Sequence, residues 1–256
     1  TKEELKKILS DRYLEICARD EDDEFEGEYT MDENIMASNA SLYNVLLRTD
    51  REGGHYTEES NKRGIGYGGW TWNSRFADID LDGWKDLYIV NGHNLPITLA
   101  SNVFYLNKGD GYFDDKTKEY KLEDYSMTTA YAYMDYDRDG DLDIVTVPMD
   151  MPVTIYRNET QENNAVTFVL DDKSAKNPFA YGAQIIVSYE VDGEIQQQRV
   201  DIQGSGGYKS FNPPEAHFGL GAAQTIKSVL IKWPDGSEST VEGDLAANKF
   251  YKIVKE

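Results

Sequence analysis

The chain has 256 residues and a formal net charge of −21, from 47 acidic and 26 basic side chains. This excess of negative charge repels phosphate backbones and anionic lipid headgroups, which argues against nucleic acid as a partner. Clustered carboxylates instead attract divalent cations, because hard oxygen ligands favour Ca²⁺ or Mg²⁺. Cys17 is the single cysteine, so an intrachain disulfide and a cysteine-based zinc cluster are excluded, and the apolar runs are too short for a membrane span.

The first segment, residues 1–42, is predicted to be helical and acidic. Apolar residues recur at roughly helical spacing within residues 2–19, namely Leu5, Ile8, Leu9, Ile16 and Cys17. This spacing predicts one amphipathic helix. The stretch DEDDEFEGE at residues 20–28 has the charge density of a solvated loop rather than of a metal site. The chain opens on Thr1 without a signal peptide, so we expect a processed product or a piece of a longer polypeptide.

Residues 43–160 carry an internal repeat of short strands. FADIDLDGWKDLYIV at residues 76–90 aligns without gaps with YMDYDRDGDLDIVTV at residues 133–147, an offset of 57 residues. The segments that precede the two copies also match, and VTIYRNET at residues 153–160 is interpreted as the start of a third copy. No convincing helix is expected after about Tyr43. A period of this size is typical of β-propeller blades.

The number of repeats predicts a partial propeller. A propeller closes with about four to eight blades, whereas this chain supplies little more than two. Unpaired strand edges are seldom left uncovered. We therefore expect the missing blades to come from an absent N-terminal part or from a protein partner, including a homo- or hetero-oligomeric assembly.

Residues 161–256 follow a different β pattern. Five strands are predicted, and they are AVTFVL, GAQIIVSYEV, QQQRVDI, TIKSVLIKW and KFYKIV. Gly-rich turns such as VDGE and PDGS separate some of them. The expected architecture is therefore mainly β, with incomplete propeller blades followed by a small β-sandwich-like module.

Two acidic loops form the candidate metal sites. In DIDLDGWKD and DYDRDGDLD, positions 1, 3, 5 and 9 carry Asp and position 6 carries the Gly that a sharp turn needs. The carboxylates are those of Asp78, Asp80, Asp82 and Asp86 in the first loop and Asp135, Asp137, Asp139 and Asp143 in the second. The position-7 carbonyl, at Trp84 or Asp141, can complete each shell.

These loops are predicted to hold two Ca²⁺ ions. Neither is an EF-hand, because position 12 holds Ile89 or Thr146 in place of a bidentate Glu and the residues that follow are typical of a strand. A metal-free Asp/Gly hairpin turn is the alternative. Two matching sets of four acidic side chains favour the cation, because without it their mutual repulsion has no compensation.

The loops, their strand context and their period resemble FG-GAP/VCBS repeats, the calcium-bearing blades of integrin α-subunit propellers and many bacterial surface proteins. The tail, QQQRVDIQGSGGYKSFNPPEAHFGLG at residues 196–221 and VLIKWPDGSES at residues 229–239, looks like the ASPIC/UnbV module of the cartilage acidic protein-like family. This resemblance implies a secreted or periplasmic calcium-binding propeller protein linked to adhesion, matrix or envelope assembly, with no catalytic residue to carry over. By position it assigns the metal ligands to the eight aspartates named above.

Signals for an enzyme are weak. Gly64, Gly66 and Gly69 spell GxGxxG, but an aromatic run follows in place of a phosphate-binding helix, and close backbone packing around Tyr67, Trp70 and Trp72 is favoured. The histidines are His55, His93 and His217, and no H-E-x-x-H or G-x-S-x-G motif occurs. Both His93 and His217 are interpreted as loop-fixing residues. We therefore predict no catalytic and no organic-cofactor residues.

The sequence thus favours an extracellular, cell-surface or periplasmic protein that binds or assembles with other proteins and uses calcium structurally. An enzyme or accessory subunit of a secreted complex is the alternative, with a pocket lined by the Gly-rich segment from Gly204 to Asn212. Carbohydrate binding by the Tyr- and Trp-rich surface is also left open. Asn39 and Asn158 lie in N-glycosylation patterns, so a glycan is a further possibility.

Overall fold

The computed structural model describes residues 44–49, 54–92, 100–149, 151–160 and 162–256. The predicted helix of residues 2–19, the acidic stretch of residues 20–28, Asn39 and His93 lie outside the described residues. Within the described part, the fold is built from five sheets and one four-residue helix, so the mainly-β prediction is confirmed. No helix among these residues is long and apolar enough to cross a bilayer.

The repeat region contains a short hairpin and two larger antiparallel sheets. The hairpin pairs β1 (Leu47–Thr49) with β2 (Tyr56–Glu58), and α1 (Ser60–Arg63) follows. The first repeat sheet consists of β3 (Thr71–Ala77), β4 (Asp86–Asn91), β5 (Val103–Asn107) and β6 (Phe113–Asp115). The second repeat sheet consists of β7 (Thr128–Met134), β8 (Asp143–Pro148) and β9 (Thr154–Tyr156). In both sheets, strands that follow each other along the chain are paired.

The two repeat sheets share an aromatic core. Tyr88, Phe104, Tyr131 and Tyr133 are buried in one cluster with neighbouring aliphatic side chains. The rings of Tyr88 and Tyr131 meet edge to face at 5.2 Å, and the Tyr131 hydroxyl donates a 2.7 Å hydrogen bond to the Tyr88 carbonyl. This core holds the loops between β3 and β4 and between β7 and β8 side by side.

The C-terminal module has two sheets around a separate core. One sheet has the order β13 (Glu215–Gly221), β10 (Asn164–Asp172), β16 (Lys249–Lys255), and its β10–β16 pair is parallel. The other has the order β12 (Glu194–Asp201), β11 (Gln184–Val191), β14 (Thr225–Lys232), β15 (Glu238–Ala246). Side chains from both sheets, including Phe168, Phe218, Ile185 and Ile231, are fully buried together.

Two expectations about elements need correction. Seven strands form the module instead of five, because HFGLG lies in strand β13 rather than in a turn and the polar segment around Val241 forms β15. VTIYRNET, interpreted as the start of a third copy, forms β9, which pairs with β8 as β5 pairs with β4 in the first repeat sheet. The helix α1 was not expected, and its C-terminus is closed by Gly64 at a φ of 87°.

Candidate metal centre

The two acidic loops connect paired strands in the same way and have the same backbone shape. The first joins β3 to β4 and the second joins β7 to β8. Position 4 is left-handed in both, with φ of 63° at Leu81 and 63° at Arg138. Position 6 is also left-handed, with φ of 97° at Gly83 and 109° at Gly140, a conformation that glycine adopts without steric cost. The sequence repeat is therefore also a structural repeat.

The first aspartate of each loop is buried and half satisfied. Asp78 Oδ2 accepts a hydrogen bond from the Gly83 N–H at 2.9 Å, and Asp135 Oδ2 accepts one from the Gly140 N–H at 3.2 Å. The Oδ1 atom of each residue is buried and has no hydrogen-bond partner among the described residues. Leaving a buried carboxylate oxygen unpaired is costly. A cation bound in each loop would give the Oδ1 atom of its first aspartate a partner.

Each loop brings three carboxylates together. Asp78, Asp80 and Asp82 each offer an oxygen within 4.8 Å of the others. In the second loop the group is Asp135, Asp137 and Asp143, so the position-9 aspartate takes the place of the position-5 aspartate. Hard, anionic oxygen donors at this separation suit Ca²⁺ or Mg²⁺. The donor set therefore fits a divalent cation, and these residues would hold it.

The position-9 aspartates also brace the loops, a role that the sequence interpretation missed. Asp86 accepts 2.9 Å hydrogen bonds from the N–H groups of Ile79 and Asn107. Asp143 accepts 2.9 Å hydrogen bonds from the N–H groups of Tyr136 and Asn158. Each carboxylate thus ties the start of its loop to the next strand of the sheet. The shared Tyr-x-Asn of β5 and β9 was the available sequence signal, and metal ligation by Asp86 stays a prediction.

Position 7 differs between the two loops. Trp84 is 53% exposed, and its N–H donates to Asp82 Oδ1 at 2.8 Å. Asp141 is buried, its Oδ2 accepts from the Thr160 N–H at 2.9 Å, and its Oδ1 has no partner among the described residues. The second loop therefore adds a buried carboxylate that sequence reasoning considered only for its backbone carbonyl. The carbonyl ligands at Trp84 and Asp141 remain predictions, as does the Asp139 side chain.

Burial and mutual repulsion make these carboxyl groups hard to ionise. Burial, together with the charges of Asp82 and Asp86, raises the pKa of Asp78 to about 8. Burial is also the leading cause for Asp80, whose pKa is about 6, for Asp86, whose pKa is about 7, and for Asp141, whose pKa is about 7. A divalent cation would oppose these shifts because it favours the ionised form.

Arg157 lies against the second loop. Its Nε is 2.7 Å from Asp137 Oδ2, and a terminal nitrogen is 3.7 Å from Asp139 Oδ2. Arg157 directly precedes Asn158, and the equivalent residue before Asn107 in the first repeat sheet is Leu106. The second loop therefore carries a local positive charge at a place where the first has an aliphatic side chain.

The remaining sequence candidates have structural contacts. The His217 Nε2 lies 2.9 Å from the Gly140 carbonyl oxygen and donates to it, and burial lowers the pKa of the imidazole. The Gly64–Gly69 motif is followed by strand β3, with Gly69 so close to Ala100 that a side chain would overlap it. The Asn158 amide donates to the Ile79 carbonyl at 2.7 Å, so this side chain also braces the first loop.

The fold and the site define a β-protein in which repeated acidic loops lie against a C-terminal β-module. Residues 78–146 match the FG-GAP-like repeat family, and residues 173–256 match the ASPIC and UnbV family. Together the two matches cover more than half of the chain. The chain therefore carries an FG-GAP-like repeat followed by an ASPIC and UnbV domain, as its motifs predicted.

Curated relatives agree with this assignment. Human cartilage acidic protein 1 is 29% identical over 178 residues, which are 66% of this chain and 26% of that protein. The mouse protein of the same name is 31% identical over 167 residues, 62% of this chain and 25% of the relative. The protein from Xenopus tropicalis is 30% identical over 179 residues, 66% and 27% respectively. The chain thus spans about a quarter of the length of these relatives.

Proposed function

We propose that this chain is a calcium-stabilised, extracytoplasmic part of a protein-interaction molecule, in which Ca²⁺ braces the loops of propeller-type blades. The main supporting observation is the pair of loops, in which Asp78 and Asp135 each have one buried oxygen that is unpaired among the described residues and lies beside two further carboxylates. Calcium is favoured over magnesium because irregular cages of loop oxygens suit its flexible coordination.

The cation concentration argues for an extracytoplasmic location. Short loops of this kind, which leave part of the shell to water, resemble the weaker calcium sites of extracellular modules, whose dissociation constants are about 10⁻⁴–10⁻³ M. Such sites fill where calcium is millimolar and stay empty at cytosolic levels. The similarity to cartilage acidic protein 1 agrees with a role outside the cell.

Protein contact is supported by the exposed apolar end of the repeat region. Within the described residues, β9 pairs with β8 alone, and no fourth strand continues this sheet. The exposed apolar side chains around this edge are Val147, Met149, Met151, Val153 and Ile155. Such a patch favours a covering element. We infer that further blades, from a longer polypeptide or from a partner, complete a propeller here.

Thermal unfolding tests the calcium proposal. Saturating Ca²⁺ should raise the melting temperature of the full chain markedly relative to the chelator-treated protein, because calcium binds the folded state selectively. Asp80→Ala and Asp137→Ala should each remove part of that gain, one loop at a time. Asp244→Ala, which removes an exposed carboxylate of β15, is the matched control. Identical melting curves with calcium and with chelator would refute the proposal.

A second candidate function is carbohydrate binding in a cleft between the first repeat sheet and the module. The cleft has a volume of about 620 Å³ and is lined by polar groups, among them Arg75, Lys85 and Arg199, together with Gly206 and Gly207 of the Gly-rich segment. Phe76, which is 47% exposed, offers a ring to a sugar face. A glycan-array screen of wild type against Phe76→Ala tests this candidate, and equal signals from both proteins would contradict it.

A further inference from the structure

Strand β13 of the C-terminal module contacts both metal loops. The contacts come from alternate residues of this strand, His217, Gly219 and Gly221, which we call the docking face. Alternate residues of a strand point to the same side of the sheet, so one face reaches both loops at once. The motif HFGLG is therefore the place where the module meets the metal loops, while Ser210 and Asn212 of the module contact strands β3 and β7.

The first loop lies directly on the docking face. A Cβ at Gly219 would overlap the Asp78 carboxylate and would lie 2.7 Å from Leu81 Cα, so only glycine allows this approach. The Gly221 N–H donates a 2.8 Å hydrogen bond to the Leu81 carbonyl. From the neighbouring segment, the Asn163 side chain donates to the Asp80 carbonyl at 2.8 Å. The module thus contacts the loop backbone at Asp80 and Leu81 and lies against the Asp78 carboxylate.

The second loop is held by a different set of polar contacts. His217 donates to the Gly140 carbonyl at 2.9 Å. The Arg138 guanidinium forms two hydrogen bonds with Glu215, at 3.0 and 2.8 Å, and lies 4.7 Å from the centre of the Phe250 ring. All of these loop contacts depend on the left-handed turn at Arg138 and Gly140.

The hydrophobic cores do not provide this docking. Over the described ranges, the core of the repeat sheets and the core of the module are separate clusters with no residue in common. Polar interfaces between the parts of one chain hold less firmly than shared apolar cores. Ser210 and Asn212 of the module also contact the repeat strands, because they accept hydrogen bonds from the Tyr131 and Tyr133 N–H groups at 3.1 and 3.0 Å. The loops therefore provide part of the docking, and this part depends on the loops keeping their shape.

We propose that calcium binding and the docking of the ASPIC and UnbV module are thermodynamically coupled, with β13 as the sensor of both metal loops. This inference rests on the proposed calcium function. Calcium would hold the Asp78 and Asp135 carboxylates in place. These carboxylates accept hydrogen bonds from the Gly83 and Gly140 N–H groups. They therefore fix the two turns that β13 contacts. Coupling is reciprocal, so docking must tighten calcium binding by the same factor by which calcium favours docking.

Hydrogen exchange of the full chain measures the docking. Calcium should slow amide exchange in a peptide covering Glu215–Gly221 as well as in the two loops. Strand β14, in the centre of the other sheet, is the internal reference and should change little. Calorimetric titration with CaCl₂ on the same sample reports binding separately.

Glycine substitutions test the reciprocity. Gly219→Ala places a methyl group against Asp78 and Leu81 and should weaken calcium binding at the first loop on the order of 10-fold, within the usual range of coupling between sites. Gly204→Ala is the matched control in the same module, because its Cβ would meet Tyr181 at an ordinary 3.7 Å. Circular dichroism checks that both variants are folded.

The outcomes separate the two proposals. Calcium binding with slower β13 exchange, and a weaker calcium affinity in Gly219→Ala than in Gly204→Ala, supports the coupling. Calcium binding that leaves β13 exchange in the wild-type chain unchanged overturns the coupling and leaves the metal function standing. A titration without calcium binding overturns the metal function itself. The hydrogen-exchange data from the wild-type chain test the coupling even if Gly219→Ala does not fold.

Discussion

At the scale of single residues, the loop aspartates have two different roles, which are cation contact and bracing of the loop. Asp78 and Asp135 use one oxygen for a turn glycine, and the other is buried and has no hydrogen-bond partner in the described part of the chain, so it can contact a cation. Asp86 and Asp143 use both oxygens to join their loop to the next strand. Removing a position-9 aspartate should therefore damage the fold even in the presence of chelator, whereas removing Asp80 should matter mainly when calcium is present.

The raised pKa values predict a pH dependence of the calcium-free protein. Asp78 has a pKa of about 8 in the folded chain against an ordinary value of 3.8, so the folded state binds the proton more tightly than the unfolded state does. Stability without calcium should therefore fall as pH rises from about 4 to about 8. Melting temperatures of chelator-treated protein at acidic and at alkaline pH measure this effect.

The variant Asp78→Asn should flatten that pH profile, because the amide does not titrate. Asp244→Asn, on exposed β15, controls for the general loss of one negative charge. Saturating calcium should abolish the fall, since the cation holds the carboxylates ionised at all these pH values. A calcium-free protein that becomes more stable as pH rises would contradict the prediction.

The position of Arg157 indicates that the two loops bind calcium with unequal affinity. Its positive charge lies 2.7 Å from Asp137 and competes with a cation for that carboxylate. Arg157→Leu, which copies Leu106 of the first repeat sheet, should tighten calcium binding at the second loop several-fold. Calorimetric titration measures the change, and Arg199→Leu, which removes an arginine paired with Asp201, is the control. Unchanged or weaker binding in Arg157→Leu would show that the arginine does not oppose the cation.

At the scale of elements, local chemistry decided what the sequence could predict. The loops were predicted in place because Asp and Gly at fixed spacing determine both the turn and the donors within nine residues. Strand β13 was missed because Gly219 and Gly221 are typical of turns, and the reason for glycine, the approach of Asp78 and Leu81, exists only in the tertiary structure. Strand β15 was missed because its exposed surface is polar.

The module core predicts a large stability cost for one ring. Phe168 on β10 is fully buried, meets Phe218 edge to face at 6.1 Å and stacks on Tyr251 at 5.6 Å. Phe168→Ala should lower the free energy of unfolding by about 3–5 kcal/mol, from lost burial and the cavity left behind. Urea denaturation of the calcium-loaded chain measures it. Phe211→Ala, at a 66% exposed ring, should change the value little, and equal effects of the two variants would contradict the assigned core.

At the scale of the whole molecule, the repeat region and the module are two β units that meet at the metal loops and at the segment from Tyr208 to Asn212. The sequence predicted this order of parts but not their contact, because nothing in a linear pattern shows which strand of the module faces the loops. A linear pattern also does not show which sheet VTIYRNET joins. In the structure this segment forms the third strand of the second repeat sheet, in the same way that β5 forms the third strand of the first.

The exposed edge of that sheet predicts self-association of the isolated chain. Val153 and Ile155 are 59% and 51% exposed beside the outer edge of β9. The variant Val153→Lys/Ile155→Lys should lower the sedimentation coefficient at high protein concentration, because charged side chains disfavour edge pairing. Ile195→Lys, a 60% exposed site on β12, is the control. A wild-type chain that sediments as a monomer at all concentrations would contradict this prediction.

The count of bound calcium ions tests the twin loops as cation sites most directly. Equilibrium dialysis at millimolar calcium should give two ions per wild-type chain, one for Asp80→Ala or Asp137→Ala, and none for the double variant. A wild-type chain that binds no calcium, or a double variant that still binds two ions, would contradict the account.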